Sequence, residues 1–150
     1  MPTPAEIAAL RTLALVGPAT AGKTSLAEAL LWKAGALGTP GSVERGTTVS
    51  DYDPLEKRAQ RSLNASLLHF EHQGVRVQLL DTPGAPDFLG QSLPSLEAVE
   101  TAAVVINPAT GIEPMAGLIT TAAVSTASSE GSDWPRKSGE IGRASCRERV

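Results

Sequence analysis

The sequence predicts an α/β fold: a mainly parallel sheet with helices on both faces. Three observations carry this. Short apolar runs alternate with stretches of strong helix formers in the order β-α-β-β-α-β. Most connections between the apolar runs are helical crossovers, as parallel pairing requires. The chain is 41% apolar but only 3% aromatic, so Leu, Val, Ile and Ala must build the core. At 150 residues it is long enough to bury one.

The elements follow in order. "TLALV" fits a buried strand, and "GPATAG" is a turn-rich loop. From 23 to about 34 the residues favour helix, with Leu26, Leu30 and Leu31 on one face and Gly35 as the stop. Residues 38–62 are polar and rich in Gly, Pro, Ser and Thr, with a short helix near 54–60. A loop this long in a compact domain is functional or disordered. "LNASLLHFEHQGVRVQLLD" reads as two strands around a turn at Gln73–Gly74; Leu67, His69 and Glu71 alternate with Leu68, Phe70 and His72. "LPSLEAVETAA" reads as a helix with Leu96, Val99 and Ala103 on one face, and "AAVVIN" as a further strand. After Gly111 the periodicity fades, leaving a loop with a weak helix near 114–124.

Composition excludes several classes. There is no run of eighteen apolar residues, so no membrane helix is expected. The N-terminus lacks the basic head and apolar stretch of a secretory signal. The single cysteine, Cys146, cannot form an internal disulfide, and a cytoplasmic setting is expected. From Arg136 onward lie five of the thirteen Lys/Arg and two of the sixteen Asp/Glu. The body is left with eight basic against fourteen acidic groups. It is acidic, and no direct nucleic-acid site is identifiable in it.

"GPATAGKT" fits G-x-x-x-x-G-K-[ST], with Gly17, Gly22, Lys23 and Thr24 at the fixed places. Glycines let the backbone curl so that successive N–H groups point at phosphate oxygens. The helix that follows adds the positive end of its dipole. Lys23 can reach β- and γ-phosphates as a point charge, and the Thr24 hydroxyl is a hard ligand suited to Mg²⁺. Average composition would produce this match in roughly half a percent of chains this long, and the flanking strand and helix lower that further. A P-loop NTPase fold is therefore expected.

"VRVQLLDTPG" places Asp81 at the end of an apolar strand, with Gly84 three residues on. Asp-x-x-Gly alone arises in roughly half of such chains. Its weight comes from position, at the C-terminal end of a strand, where open α/β sheets bind ligands. Asp81 can hold the Mg²⁺ shell through a water, and the Gly84 N–H can meet a γ-phosphate. A hydroxyl from the long loop should complete the cation site. Thr47, Thr48 and Ser62 are the candidates, and Ser62 is favoured because it lies just before the strand that leads into the site.

"GPATAGKT", "DTPGAPDF" and "SLEAVETAAVVINPATGIEP" together resemble the G domain of translational GTPases, notably elongation factor G and its elongation-factor-G-like relatives. The resemblance covers roughly residues 9–116. It implies a domain that binds GTP and Mg²⁺, hydrolyses GTP and works on the ribosome. It implies that Gly17, Pro18, Ala19, Thr20, Ala21, Gly22, Lys23 and Thr24 hold the phosphates. It also implies that Thr24, Ser62 and, through water, Asp81 face Mg²⁺, and that Asp81 and Gly84 form the second switch. Two departures stand out. Ala85 occupies the place of the family's usual histidine, which helps orient the attacking water. "NPAT" after "AAVVI" is not the guanine-reading N-K-x-D, so guanine comes from the resemblance alone.

Residues 1–117 are thus expected to be the N-terminal part of a translational-type G domain whose last strands are missing. Residues 118–139 are a loop or junction. The terminal "EIGRASCRERV" can be back-translated into a string resembling a short-read sequencing adapter, so 140–150 are expected to be a non-native tail and the chain truncated. Two other readings are a self-contained P-loop or kinase-like nucleotide-binding protein, and a GTP-binding module that does not hydrolyse.

Overall fold

The computed structural model describes residue 3, residues 7–111 and residue 113. The expected helix at 114–124, the junction at 118–139 and the tail with Cys146 lie outside the described residues.

Four strands form one sheet: β1 (Leu10–Val16), β2 (Ser66–His72), β3 (Val75–Asp81) and β4 (Thr101–Val104), in the spatial order β2-β3-β1-β4. β1 runs parallel to both β3 and β4, and β2 is antiparallel to β3. Three helices intervene: α1 (Lys23–Lys33), α2 (Pro54–Ala59) and α3 (Leu89–Glu97), the last preceded by a 3-10 turn at Pro86–Phe88. The expected order is observed, with α2 as the short helix inside the polar stretch.

β1 is the central strand, so both of its faces must be apolar. Ala14 and Val16 point to one face and pack with Leu96, Leu80, Leu93 and Val99. Leu15 points to the other and packs with Ala27 and Leu31 of α1, Phe70 and Leu79. α1 therefore covers one face and α3 the other. Between β2 and β3, Gln73 and Gly74 both have positive φ, at 50° and 77°. Two such residues make a type I′ turn, whose twist suits a hairpin.

α1 ends in a Schellman motif. Gly35, at φ 79°, donates to the Trp32 carbonyl, and the Ala36 N–H reaches back to the Leu31 carbonyl. Its buried arc differs from the expected Leu26–Leu30–Leu31 face. Ala27, Leu31, Lys23, Thr24 and Glu28 are buried, and Leu30 packs against the core edge. Leu26 is 39% exposed. The arc is rotated because the polar loop covers the Glu28 side of the helix.

α3 also departs from expectation. It starts at Leu89 and ends at Glu97, with Pro94 inside it. The sequence reading, drawn from the spacing of Leu96, Val99 and Ala103, starts the helix later, at Leu93. Val99 lies beyond the helix but still packs against Leu96 and its neighbours, whereas Ala103 belongs to β4 and packs on the α1 face. The strand itself is shorter than "AAVVIN", although the Val105 N–H still donates to Val16 at 2.7 Å. Among the described residues, no helix is long and apolar enough to cross a membrane.

Candidate phosphate-binding site

The site lies at the C-terminal ends of β1 and β3. Their parallel register sets Leu15 beside Asp81, so the loop after β1 and the loop after β3 leave the sheet together. The Thr82 hydroxyl donates to the Leu15 carbonyl at 2.7 Å and ties the two exits.

The loop 17–22 is shaped by unusual backbone angles. Gly17 has φ 143°, Thr20 65° and Gly22 93°. A Cβ on Gly17 would collide with the Val105 carbonyl, so only glycine lets the loop leave β1 alongside the end of β4. Gly22 caps α1 without any side-chain bond, and the first turn of α1 carries no acidic residue. That helix end thus presents its N–H groups and positive dipole to the loop interior. Lys23 Nζ donates to the Gly17 carbonyl at 3.0 Å and the Pro18 carbonyl at 2.9 Å. Burial lowers its pKa, with the Asp81 charge opposing.

Thr24, Asp81 and Ser62 are brought together. Thr24 Oγ1 donates to Asp81 Oδ2 at 2.7 Å and lies 3.2 Å from Ser62 Oγ. Gly84 lies against the loop: a Cβ there would sit 2.7 Å from Pro18 C and 2.6 Å from Ala19 N. Of the other hydroxyl candidates, Thr47 bonds to Ser42 and Thr48 to Asp51, and among the described residues the hydrogen bonds of the Thr24 hydroxyl go to Asp81 and Ser62. Asn107 accepts the Ala109 N–H on its own side chain, a turn rather than a base-reading arrangement.

Asp51 was not anticipated. It is buried, and its Oδ1 accepts the Ser62 hydroxyl at 2.7 Å. Burial raises the pKa of both Asp51 and Asp81; the hydroxyls of Ser62 and Thr24, respectively, oppose the rise. Its signal in the sequence was weak, a lone acid in "VSDYDP" within a polar stretch.

The donor set fits a hard divalent cation. Thr24 and Ser62 offer hydroxyl oxygens, and two buried carboxylates stand beside them. Among the described residues, Asp81 Oδ1 and the neighbouring Ser50 hydroxyl are buried and neither has a partner within hydrogen-bond distance, so Oδ1 is an acceptor that a hydrated cation would satisfy. A cavity of about 480 Å³ opens here, bounded by the glycine loop, by Asp51 and residues 59–62, and by Gly84 and Ala85.

Strand, glycine loop, helix, and an aspartate at the end of the neighbouring parallel strand define a P-loop nucleotide-binding domain. The comparisons narrow the class. Residues 8–130 match the elongation factor Tu GTP binding domain, and the chain belongs to that family. It is 44% identical over 104 residues to an elongation factor G-like protein of Mycobacterium tuberculosis, covering 69% of this chain and 15% of that one. It is 39% identical over 108 residues to peptide chain release factor 3 of Lactobacillus delbrueckii subsp. bulgaricus, covering 69% of this chain and 21% of that one. A crystal structure of a Thermus thermophilus protein superposes with a TM-score of 0.74 at 41% identity, over 77% of this chain and 17% of that chain. This chain thus spans about a fifth or less of the length of each of the three.

Proposed function

We propose that the domain binds GTP with Mg²⁺ and serves the GTP-hydrolysing step of a translation factor on the ribosome. The observation that carries the reading is the convergence of Thr24, Ser62, Asp51 and Asp81 beside the glycine loop. Family membership supports guanine as the base, and the names of the relatives support translation as the setting.

The residues divide the work. The N–H groups of the loop from Gly17 to Gly22 and of the α1 N-terminus hold phosphate oxygens, and Lys23 adds a charge. Thr24 and Ser62 would face Mg²⁺ directly, and Asp81 would hold its waters. When bound, Mg²⁺ neutralises negative charge on the phosphates. Gly84 can bring its N–H to the terminal phosphate. Ala85 is 8% exposed and has no group that could orient water. The intrinsic hydrolysis rate is therefore low, and a non-hydrolysing GTP-binding module is the second reading.

A titration with fluorescent GTP, GDP and ATP in Mg²⁺ tests this. The family's preference predicts that GTP and GDP bind tighter than ATP, through determinants other than an N-K-x-D motif, which Asn107 does not form. Lys23→Ala should abolish binding. Equal affinity for ATP would remove the guanine reading, and binding untouched by Lys23→Ala would remove the phosphate site.

A further inference from the structure

Glu28 is 1% exposed, although it sits on a helix that the sequence would have it decorate from outside. A buried carboxylate is costly unless strongly hydrogen-bonded. Here Oε1 accepts the Val49 N–H at 2.6 Å and Oε2 accepts the Gly41 N–H at 2.7 Å. Bonds from N–H to an ionised carboxylate are the strong class. Both donors belong to the polar loop, eight residues apart, so one side chain ties two points of it to α1. The side chain of Val49 is 40% exposed, so its N–H is the group the fold uses there. At Gly41 a Cβ would fall 2.7 Å from Thr48 Cα, which shows how closely the loop is drawn in.

The connection runs on to the cation site. Glu28 lies four residues after Thr24, one turn along the same helix side. Val49 is two residues before Asp51, which accepts the Ser62 hydroxyl, and Ser62 lies against Thr24. The contacts close a ring: Thr24, Ser62, Asp51, Val49, Glu28 and back along one helical turn. Glu56 holds the far end of the loop in the same manner, accepting the N–H groups of Leu63 at 2.9 Å and Asn64 at 3.0 Å.

We propose that Glu28 is a positioning residue, a latch that fixes the polar loop to the helix bearing Lys23 and Thr24. It thereby sets how strongly the site prefers a nucleoside triphosphate with a divalent cation over a diphosphate. Glu28 touches neither ligand; it acts through Asp51 and Ser62. The proposal rests on the nucleotide reading above.

The test uses the 150-residue chain with Glu28→Ala and Glu28→Gln. Glutamine keeps the volume and one acceptor but turns an NH₂ toward the other N–H, so it opens one of the two ties without emptying the site. Affinities for fluorescent GTP and GDP are measured with Mg²⁺ and with chelator. Glu28→Gln should lower Mg²⁺-GTP affinity about tenfold, the scale of one charged hydrogen bond, and leave chelator-GDP affinity within about twofold. Without nucleotide, trypsin should cut after Arg45 or Arg58 about tenfold faster in the variant, because a loosened loop opens more often. If Glu28→Ala fails to fold, Glu28→Gln, checked by circular dichroism, decides. A folded Glu28→Gln with unchanged GTP-over-GDP preference and unchanged cleavage overturns the latch. If the parent chain binds no nucleotide at all, the functional reading falls, and the ligand-free cleavage rates alone decide the latch.

Discussion

Between Gly17 and Gly22 the chain is shaped by its own backbone, whereas between Gly41 and Asn64 it is shaped by carboxylates that collect its N–H groups. The first loop relies on angles that glycine adopts readily, at φ 143° and 93°, and its Lys23 bonds back onto its own carbonyls. The second is anchored at five N–H groups by two buried side chains, Glu28 and Glu56. A backbone-shaped loop is rigid and presents a fixed anion cradle. A loop held by side-chain acceptors can let go without unfolding the sheet, which is what a nucleotide-sensing segment requires.

Breaking the first loop should have the largest effect. Gly17→Ala forces a strained φ and drives a methyl group toward the Val105 backbone, where the end of β4 meets β1. Strain and overpacking together should cost about 2–5 kcal/mol, a large share of a small domain's stability. Urea denaturation measures it, and nucleotide binding should vanish with it. A loss under about 1 kcal/mol would mean that β4 can retreat freely and that the first loop is not rigidly framed.

The comparison also explains what could be read from the sequence. The glycine loop, β1, the Gln73–Gly74 hairpin and Asp81 at a strand end were legible because each depends on local backbone demands or strict alternation. Ser62 was singled out by its place before β2, and the structure sets it at Thr24. Glu28 and Asp51 were not legible. Nothing local distinguishes a glutamate buried by a returning loop from one in solvent. Glu56 carries a local signal: "DPLE" is a helix-start pattern, and Asp53 and Glu56 form a capping box. The sequence reading starts α3 at Leu93, on the spacing of Leu96, Val99 and Ala103, whereas the helix begins at Leu89 and carries Pro94 inside it.

A smaller effect separates the proposed cation site from the scaffold. Burial raises the native pKa of Asp81 above its ordinary value of 3.8. The stability this contributes is fully present below 3.8 and is lost as pH rises through the raised value. Without ligand, the chain should therefore become less stable as pH rises above 3.8. Asp81→Asn should flatten that slope without removing it, because Asp51 is raised too. At neutral pH the variant should be more stable by on the order of 1 kcal/mol, since a buried charge is gone. Mg²⁺-dependent nucleotide binding should be lost at the same time. Thermal melts across a pH series that starts below 3.8 and runs to neutral read the effect; a variant with the parent's slope would show that Asp81 is not the group being protonated.

The smallest effect lies on α1 and tests the direction in which the polar loop rotates its buried arc. Leu26→Gln should change stability by no more than about 0.5 kcal/mol, because its side chain already faces solvent. Leu31→Ala, five residues along and 4% exposed, should cost about 2–5 kcal/mol. The two leucines are equivalent by composition and by the simple face drawn from the sequence. They differ because Glu28 and the loop it holds occupy the helix side next to Leu31 and opposite Leu26. A Leu26→Gln cost approaching that of Leu31→Ala would place Leu26 in the core. The helix would then be turned away from the loop, and Glu28 could not reach Gly41 and Val49.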